Sequence, residues 1–343
     1  MSQLSVSSVR SVAVPSGSVA IKARPALKLV KTTEISHAQW LQVRKEGIGS
    51  SDAAAAVGLH PYKSQLQLWM EKTGRDDQLP TSDPLDDSSP MYWGSLLEPV
   101  VAEQYSRRTG YRVRRVNAVL QHPQHPWMLA NIDREVVGTT DVQILECKTA
   151  GIHGARLWKE GVPEYVQLQV MHQLAVTGKQ AADVAVLLGG QELQVFRIER
   201  NLQMISQLIE LEQHFWGFVQ RDEAPPVDGS DSADMALRSL YPCDSGTTLD
   251  LSGDMEMSCV FSELLAVREA ITTQTALEAQ LKQRIQQRMG DATRAIFDAG
   301  EVSWKRSKDG VALDTARLHK EHADLLKDYT VVKPGSRRFL VQT

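Results

Sequence analysis

Along the chain, the spacing of apolar positions shifts between helical and strand periods in a readable order. HAQWLQVRKEG (37–47) and SQLQLWMEKTG (64–74) carry apolar residues at helical spacing, and each ends on a glycine, Gly47 and Gly74, suited to a left-handed C-cap. They predict two short helices on either side of a Gly/Ser turn. After an acidic, Pro- and Ser-rich surface loop at 74–90, a longer helix is expected over about 91–110. Strand signals follow. YRVRRVNAVL alternates, MLANIDREVV breaks near Asp133, and VQILECKT runs from Val142 to Thr149 in β-branched and apolar residues, so the three read as neighbours in one sheet. VPEYVQLQVMHQLAVTG returns to helical spacing, with Pro163 in its first turn and Gly178 at its end. ADVAVLLGGQELQVFRIER predicts a hairpin turning at Gly189 and Gly190, and LQMISQLIELEQHFWGFVQ a helix that stops before Pro225 and Pro226. Helices, strands, helix, hairpin and helix in that order predict an α/β (α+β) core with a mixed sheet flanked by helices.

Both ends of the chain differ from this core. Residues 1–33 are rich in Ser and Val without a sustained period and read as a flexible arm, leaving the folded domain at 34–226. Residues 227–252, rich in Asp, Ser, Gly and Pro, read as a linker or long loop. The extension at 253–343 reads as mainly helical: about 256–289 has one long helix or a helical hairpin, and VSWKRSK and SRRFLVQT look strand-like and basic. No apolar stretch approaches the length that crosses a bilayer, and no repeat at solenoid periods occurs.

Composition narrows the function classes. With 343 residues, 42% hydrophobic and 23% charged, the chain is expected to be soluble and globular. Its three cysteines, Cys147, Cys243 and Cys259, form no CxxC pair, which argues against a disulfide scaffold, a tetrahedral zinc site or a four-cysteine cluster and suits a reducing compartment. The first residues lack the apolar core of a secretory signal, so a cytoplasmic setting is expected. A net charge of −4 excludes indiscriminate polyanion binding but leaves room for a local basic groove.

Candidate chemistry gathers at Asp133, Glu146 and Lys148. Glu146 and Lys148 are two apart on a strand and share a face, and Asp133 lies at the break in the preceding strand. Two carboxylates at oxygen distance suit Mg²⁺, and an adjacent lysine can orient or deprotonate a water, as phosphodiester hydrolysis requires. An ExK triplet alone is common; the apolar strand before it, Asp133 upstream and a Gln-bearing helix within twenty residues downstream give it weight. The five arginines between Arg107 and Arg115 read as a solvated face or a DNA groove. His122, His125, His153 and His172 lack metal spacing, Glu135 and Asp141 read as solvated, and Trp40, Trp69 and Trp93 as core.

Five blocks in order, GIGSSDAAAAVGLHPYKSQLQLWMEKTGR, MYWGSLLEPVVAEQYSRRTG, HPWMLANIDREV, ILECKTA and VPEYVQLQVMHQLAVTG, resemble the YqaJ-type viral recombinases, relatives of bacteriophage lambda exonuclease in the PD-(D/E)xK nuclease superfamily. The resemblance spans about residues 36–200. It implies a Mg²⁺-dependent exonuclease, with Mn²⁺ as a substitute, that degrades the 5′ strand from a double-stranded DNA end and leaves a 3′ single strand for an annealing protein. By the same resemblance Asp133, Glu146 and the main-chain carbonyl of Cys147 hold the metal, Glu98 completes the second-metal side, Lys148 activates water, and Gln169 holds the lysine or substrate. Gln173 stands where many relatives have tyrosine, and Ile132 where they have Pro or Leu. Arg44 with Ser50 and Ser51 resembles a pocket for the 5′-phosphate; a forked guanidinium and hydroxyls at a helix start suit an anion, although a Ser cap with Arg44 as a surface charge would look the same. The resemblance also implies a homo-oligomer, a toroidal trimer, encoded by a phage or prophage and acting in a bacterial cytoplasm. The competing readings are another PD-(D/E)xK endonuclease or repair nuclease, and a DNA-binding scaffold with a vestigial nuclease fold.

Overall fold

The structure, a computed structural model, describes residues 26–80, 83, 86–333 and 335–342. The chain divides into two compact units, Met1–Pro242 and Cys243–Thr343. Most of the flexible arm expected at 1–33 lies outside the described residues. Within its described end, Leu27–Lys31 forms strand β1, paired antiparallel with a later strand. Alternating apolar and basic residues (LKLVK) are compatible with an edge strand, but which strand it joins is a tertiary matter.

The first unit begins with helix α1 (His37–Lys45), closed at its start by a reciprocal cap in which Gln39 N–H donates to Ser36 Oγ and Ser36 N–H to Gln39 Oε1. Short strand β2 (Ile48–Gly49), helix α2 (Ala53–Ala56) and helix α3 (Gln65–Lys72) follow. Gly47 is not a left-handed cap: a Cβ there would lie 2.5 Å from the Trp127 carbonyl, so the glycine serves close approach of two backbones. Helix α4 (Pro90–Thr109) starts on Pro90 and ends on left-handed Gly110.

Strands β3 (Arg112–Arg115), β4 (Ala118–Gln121), β5 (Met128–Ala130), β6 (Arg134–Val137) and β7 (Ile144–Ala150) come next, then helix α5 (Glu164–Thr177), the hairpin β8 (Ala181–Leu188) and β9 (Glu192–Glu199), and helices α6 (Leu202–Arg221) and α7 (Asp231–Leu240). The hairpin turns on Gly189 and Gly190, both at positive φ.

The expected single sheet is in fact two. Among the described residues, β3, β6, β7, β8 and β9 form a mixed sheet in that order, with only β7 and β8 parallel, whereas β4 and β5 join β1 and β2 in another, ordered β1-β4-β5-β2. The two apparent long strands of the sequence each break midway, and each half pairs separately. Period alone does not choose a partner.

Two apolar layers cover the five-stranded sheet. Val101, Ala102 and Tyr105 of α4 pack on Leu145, Ala181 and Ala185; Val166, Val170 and Leu174 of α5 pack on Ile144, Ala182, Val184 and Val186 on the opposite face. Glu146 and Lys148 have the parity of Ile144 and therefore face α5. Of the expected core tryptophans only Trp69 is buried, at 3% exposure; Trp40 is half-buried, and Trp93 is 47% exposed with its indole N–H donating to Asp87 O. The expected linker holds α7, whose amphipathic face packs Ala236 among Leu66, Leu68 and Phe215.

In the second unit, helix α8 (Met255–Met289) is continuous and is followed by the hairpin β10 (Arg294–Phe297) and β11 (Gly300–Ser303) and the short helices α9 (Thr315–Glu321) and α10 (Ala323–Leu326). Of the strand-like tail segments, VSWKRSK contributes Val302 and Ser303 to β11, while the described part of SRRFLVQT is not a strand. No helix among the described residues is long and apolar enough to cross a membrane.

Candidate active site

Asp133 occupies the three-residue passage between β5 and β6, where the chain leaves one sheet for the other. Because β6 pairs with β7 through Arg134 and Leu145, Asp133 comes beside Glu146, and its Oδ2 accepts the Cys147 N–H at 2.9 Å. On the same face Lys148 Nζ lies 2.8 Å from Glu146 Oε1 and donates to Gln169 Oε1 at 2.9 Å, while Gln169 Nε2 donates to Glu146 Oε1 at 2.5 Å. The structure thus brings together Asp133, Glu146, Lys148 and Gln169.

Sequence reasoning left Gln173 open, and the structure gives it a partner. Its Nε2 donates to Glu146 Oε2 at 2.7 Å and to Asn131 O at 3.3 Å, and its Oε1 is buried with no hydrogen-bond partner. The legible signal was its spacing, since residues four apart on α5 share a face with Gln169. Together the two glutamines hold both oxygens of a carboxylate that is only 2% exposed as a residue.

Burial pushes the Asp133 carboxyl up to about 8, and Glu146 and Glu98 push in the same direction against the Cys147 N–H and Lys148. For Lys148 burial opposes the charged form, yet Glu146 and Asp133 outweigh it and the amine is raised. A buried carboxyl with like charge beside it, the carboxylate oxygens of Asp133 and Glu146, and the intervening Cys147 carbonyl suit a hard, oxygen-seeking divalent cation. The residues fit one such ion.

They do not fit the three-carboxylate set. No group of three or more His, Cys, Asp or Glu side chains among the described residues converges to hold a metal. Glu98, on α4, is engaged instead by Arg134 Nη1 at 2.5 Å, with Arg115 Nη2 at 3.7 Å. Arg134 was not singled out from the sequence.

The turn at 49–52 lies nearby. Ser50 is buried and its hydroxyl donates to Asn131 O, the carbonyl that Gln173 also reaches, so turn and carboxylate site share an anchor. Arg44 Nη2 donates to the exposed Ser51 Oγ at 2.8 Å and to Asp52 Oδ1 at 3.2 Å, with its guanidinium 5.0 Å from the centre of the Trp40 ring. Asp52 also receives Lys72 Nζ at 2.7 Å. Burial alone would raise the Asp52 carboxyl, but Lys72 and Arg44 prevail and hold it well below the usual carboxylate range. Asp52 and Lys72 are further residues the sequence reading missed. A cavity of about 360 Å³ opens here, lined by Arg44, Lys45, Lys63 and Lys72 with Asp52 and Glu71, and a cleft of about 560 Å³ lined by His37, Trp40, Glu98, Arg115 and Asp133 opens on the carboxylate side.

The other expected groups lie elsewhere. His172 is fully buried between Glu212 Oε1 and Leu129 O, a structural role, and His122 takes the Gln124 and His125 N–H groups at Nδ1. Glu135 pairs with Arg114 and Lys179, and Asp141 accepts from Tyr111. The five arginines divide between α4 and β3: Arg107 pairs with Glu103 and Arg108 donates to Leu193 O.

Residues 39–180 match the YqaJ-like viral recombinase domain. The uncharacterized protein YqaJ of Bacillus subtilis (strain 168) is 34% identical over 318 residues, 91% of this chain and 96% of that protein. Among solved structures, an alkaline exonuclease from Laribacter hongkongensis is similar at 22% identity and a TM-score of 0.46, over 54% of this chain and 93% of that chain. A phage-related exonuclease from Haemophilus somnus 129PT is similar at 9% identity and a TM-score of 0.37, over 51% of this chain and 94% of that chain. On the strength of a domain match that contains the whole carboxylate site and a sequence likeness along almost all of both chains, the protein belongs to the YqaJ family.

Proposed function

We propose that the protein is a Mg²⁺-dependent exonuclease that degrades the 5′ strand of linear duplex DNA and leaves a 3′ single strand for recombination by annealing. The observation that carries this reading is the convergence of Glu146, Lys148 and Gln169 on one face with Asp133 from the neighbouring strand.

Asp133, Glu146 and the Cys147 carbonyl would hold Mg²⁺, or Mn²⁺ in its place, which supplies Lewis-acid polarisation of the scissile phosphate and a more acidic water. Lys148, fixed between Glu146 and Gln169, orients the attacking water and stabilises charge on the phosphate. Gln169 and Gln173 keep Glu146 in one rotamer, so that its position is set before substrate arrives.

Arg44 and Ser51 form the clamp for a 5′-phosphate, Ser51 rather than Ser50 because Ser50 is buried and spends its hydroxyl on Asn131. Each cut regenerates a 5′-phosphate that re-enters the same clamp. The double-stranded DNA end as substrate, a single-strand annealing protein as partner, a toroidal homotrimer and a bacterial cytoplasm with phage or prophage DNA complete the reading, on the family resemblance alone.

The test is digestion by the purified full-length protein of matched 5′-phosphorylated linear, 5′-hydroxyl linear and closed circular duplexes, with Mg²⁺ or with EDTA. Expected is fastest loss of the 5′-phosphorylated linear strand, none of the circle and none in EDTA. Comparable digestion of the circle would overturn the exonuclease assignment, and undiminished activity in EDTA the metal.

A further inference from the structure

Beside the carboxylate site the buried Arg134 pairs with the half-buried Glu98, the residue that the family resemblance implies as a ligand. Arg134 is 8% exposed, follows Asp133 directly, and uses one nitrogen twice: Nη1 donates to Glu98 Oε1 at 2.5 Å and to the Asp133 carbonyl at 2.7 Å. Its side chain is only 9% exposed, so a guanidinium that left these two acceptors would lose hydrogen bonds in a largely dry place. Arg115 adds a second positive charge to the same Glu98 oxygen at 3.7 Å.

A guanidinium stays charged at every pH the protein meets. A divalent ion ligated by Glu98 would have to displace Arg134 and then lie beside it, leaving a buried cation without its counter-ion and facing a like charge. Asp133 and Glu146 are placed differently: Asp133 accepts the backbone N–H of Cys147, and the cation on Glu146, Lys148, is shared with Gln169 and its side chain is 26% exposed, so it can shift without being stranded.

We propose that Arg134 takes the place of a second divalent cation in this chain. The site then binds one ion, between Asp133 and Glu146, and Glu98 serves as the counter-ion that positions Arg134 rather than as a metal ligand. The proposal rests on the metal-dependent reading above. It adds that the fixed charge on the α4 side of the site is supplied by the protein, so that side needs no ion from solution.

The experiment counts bound Mn²⁺ on the full-length protein without DNA, by isothermal titration calorimetry and by electron paramagnetic resonance of free Mn²⁺. One ion per chain is expected for the wild type and for Glu98→Gln, with affinities within about threefold, since an amide retains an acceptor for Arg134. Asp133→Asn should lower the affinity at least tenfold. Arg134→Gln should bind a second ion through the released Glu98, and Arg134→Lys, which keeps the charge, should return the count to one. Two ions on the wild type, one of them lost in Glu98→Gln, would overturn the proposal even if Arg134→Gln does not fold. No Mn²⁺ binding by a folded wild type would overturn the metal reading itself, and this proposal with it.

Discussion

The metal-holding role proposed for Asp133 works against the stability of the fold around it. The carboxyl is buried against Glu146, and its proton affinity rises to about 8 from the ordinary 3.8. The folded state therefore keeps a proton that the unfolded state has lost between those values, and stability falls as the pH rises from about 4 to about 8. In EDTA, Asp133→Asn should raise the melting temperature, with a gap near zero at pH 4 that grows to roughly 2 kcal/mol above pH 8. Thermal unfolding at pH 4, 6 and 9 checks this; a pH-independent gap would mean altered packing instead. With Mg²⁺ and linear duplex the same variant should lose several orders of magnitude in turnover while still binding DNA. Arg44 carries the second prediction at this scale. Arg44→Ala should cut the preference for 5′-phosphorylated over 5′-hydroxyl ends by about 10- to 100-fold, the loss of one charge-assisted hydrogen bond. A time course on the two duplexes reads it, and equal losses on both would make Arg44 a partner of Asp52 alone.

Elements place these side chains through a few close contacts. The parallel pairing of β2 with β5 brings Ile48 opposite Met128 and Gly49 opposite Leu129, which sets the turn at 49–52 against the strand that leads to Asp133. Gly47 makes that approach possible. Gly47→Ala would put a methyl 2.5 Å from the Trp127 carbonyl and 2.8 Å from Leu129 Cγ, and backbone cannot yield as a side-chain tip can. The variant should lose about 1–3 kcal/mol, read as a lower urea midpoint with an unchanged slope. Helix α5 works in the opposite sense, by regularity: Gln169 and Gln173, four apart, present two amides to one carboxylate, and the helix is held by Val166, Val170 and Leu174 in the core beneath the sheet.

On the scale of the molecule, the residues of the carboxylate site and of the turn at 49–52 all fall within Met1–Pro242, and the residues matched to the family domain fall there as well. That unit has its own three apolar clusters apart from the contribution of each surface helix. A chain ending at Pro242 should therefore unfold in one cooperative transition and bind Mn²⁺ within about threefold of the full-length affinity, as circular dichroism and calorimetry would record. Loss of binding by a folded truncated chain would assign the second unit a part in the site.

Much was legible from local rules. Helices α4, α5 and α6, the hairpin at Gly189 and Gly190, the break at Asp133 and the shared face of Glu146 and Lys148 all follow from period, capping and turn chemistry, which act over a few residues. The tertiary structure alone decided the partition of the strands into two sheets, the exposure of Trp93, the pairing of Glu98 with Arg134 across 36 positions and the reach of Ser50 to Asn131 across 81. A strand's period says which face a side chain takes, not which strand lies beside it, and a charged residue's type does not reveal its counter-ion. Those choices are settled only when distant segments compete for the same neighbours, so the sequence by itself determined the chemistry available at the site, and the fold determined which of those groups are free to use it.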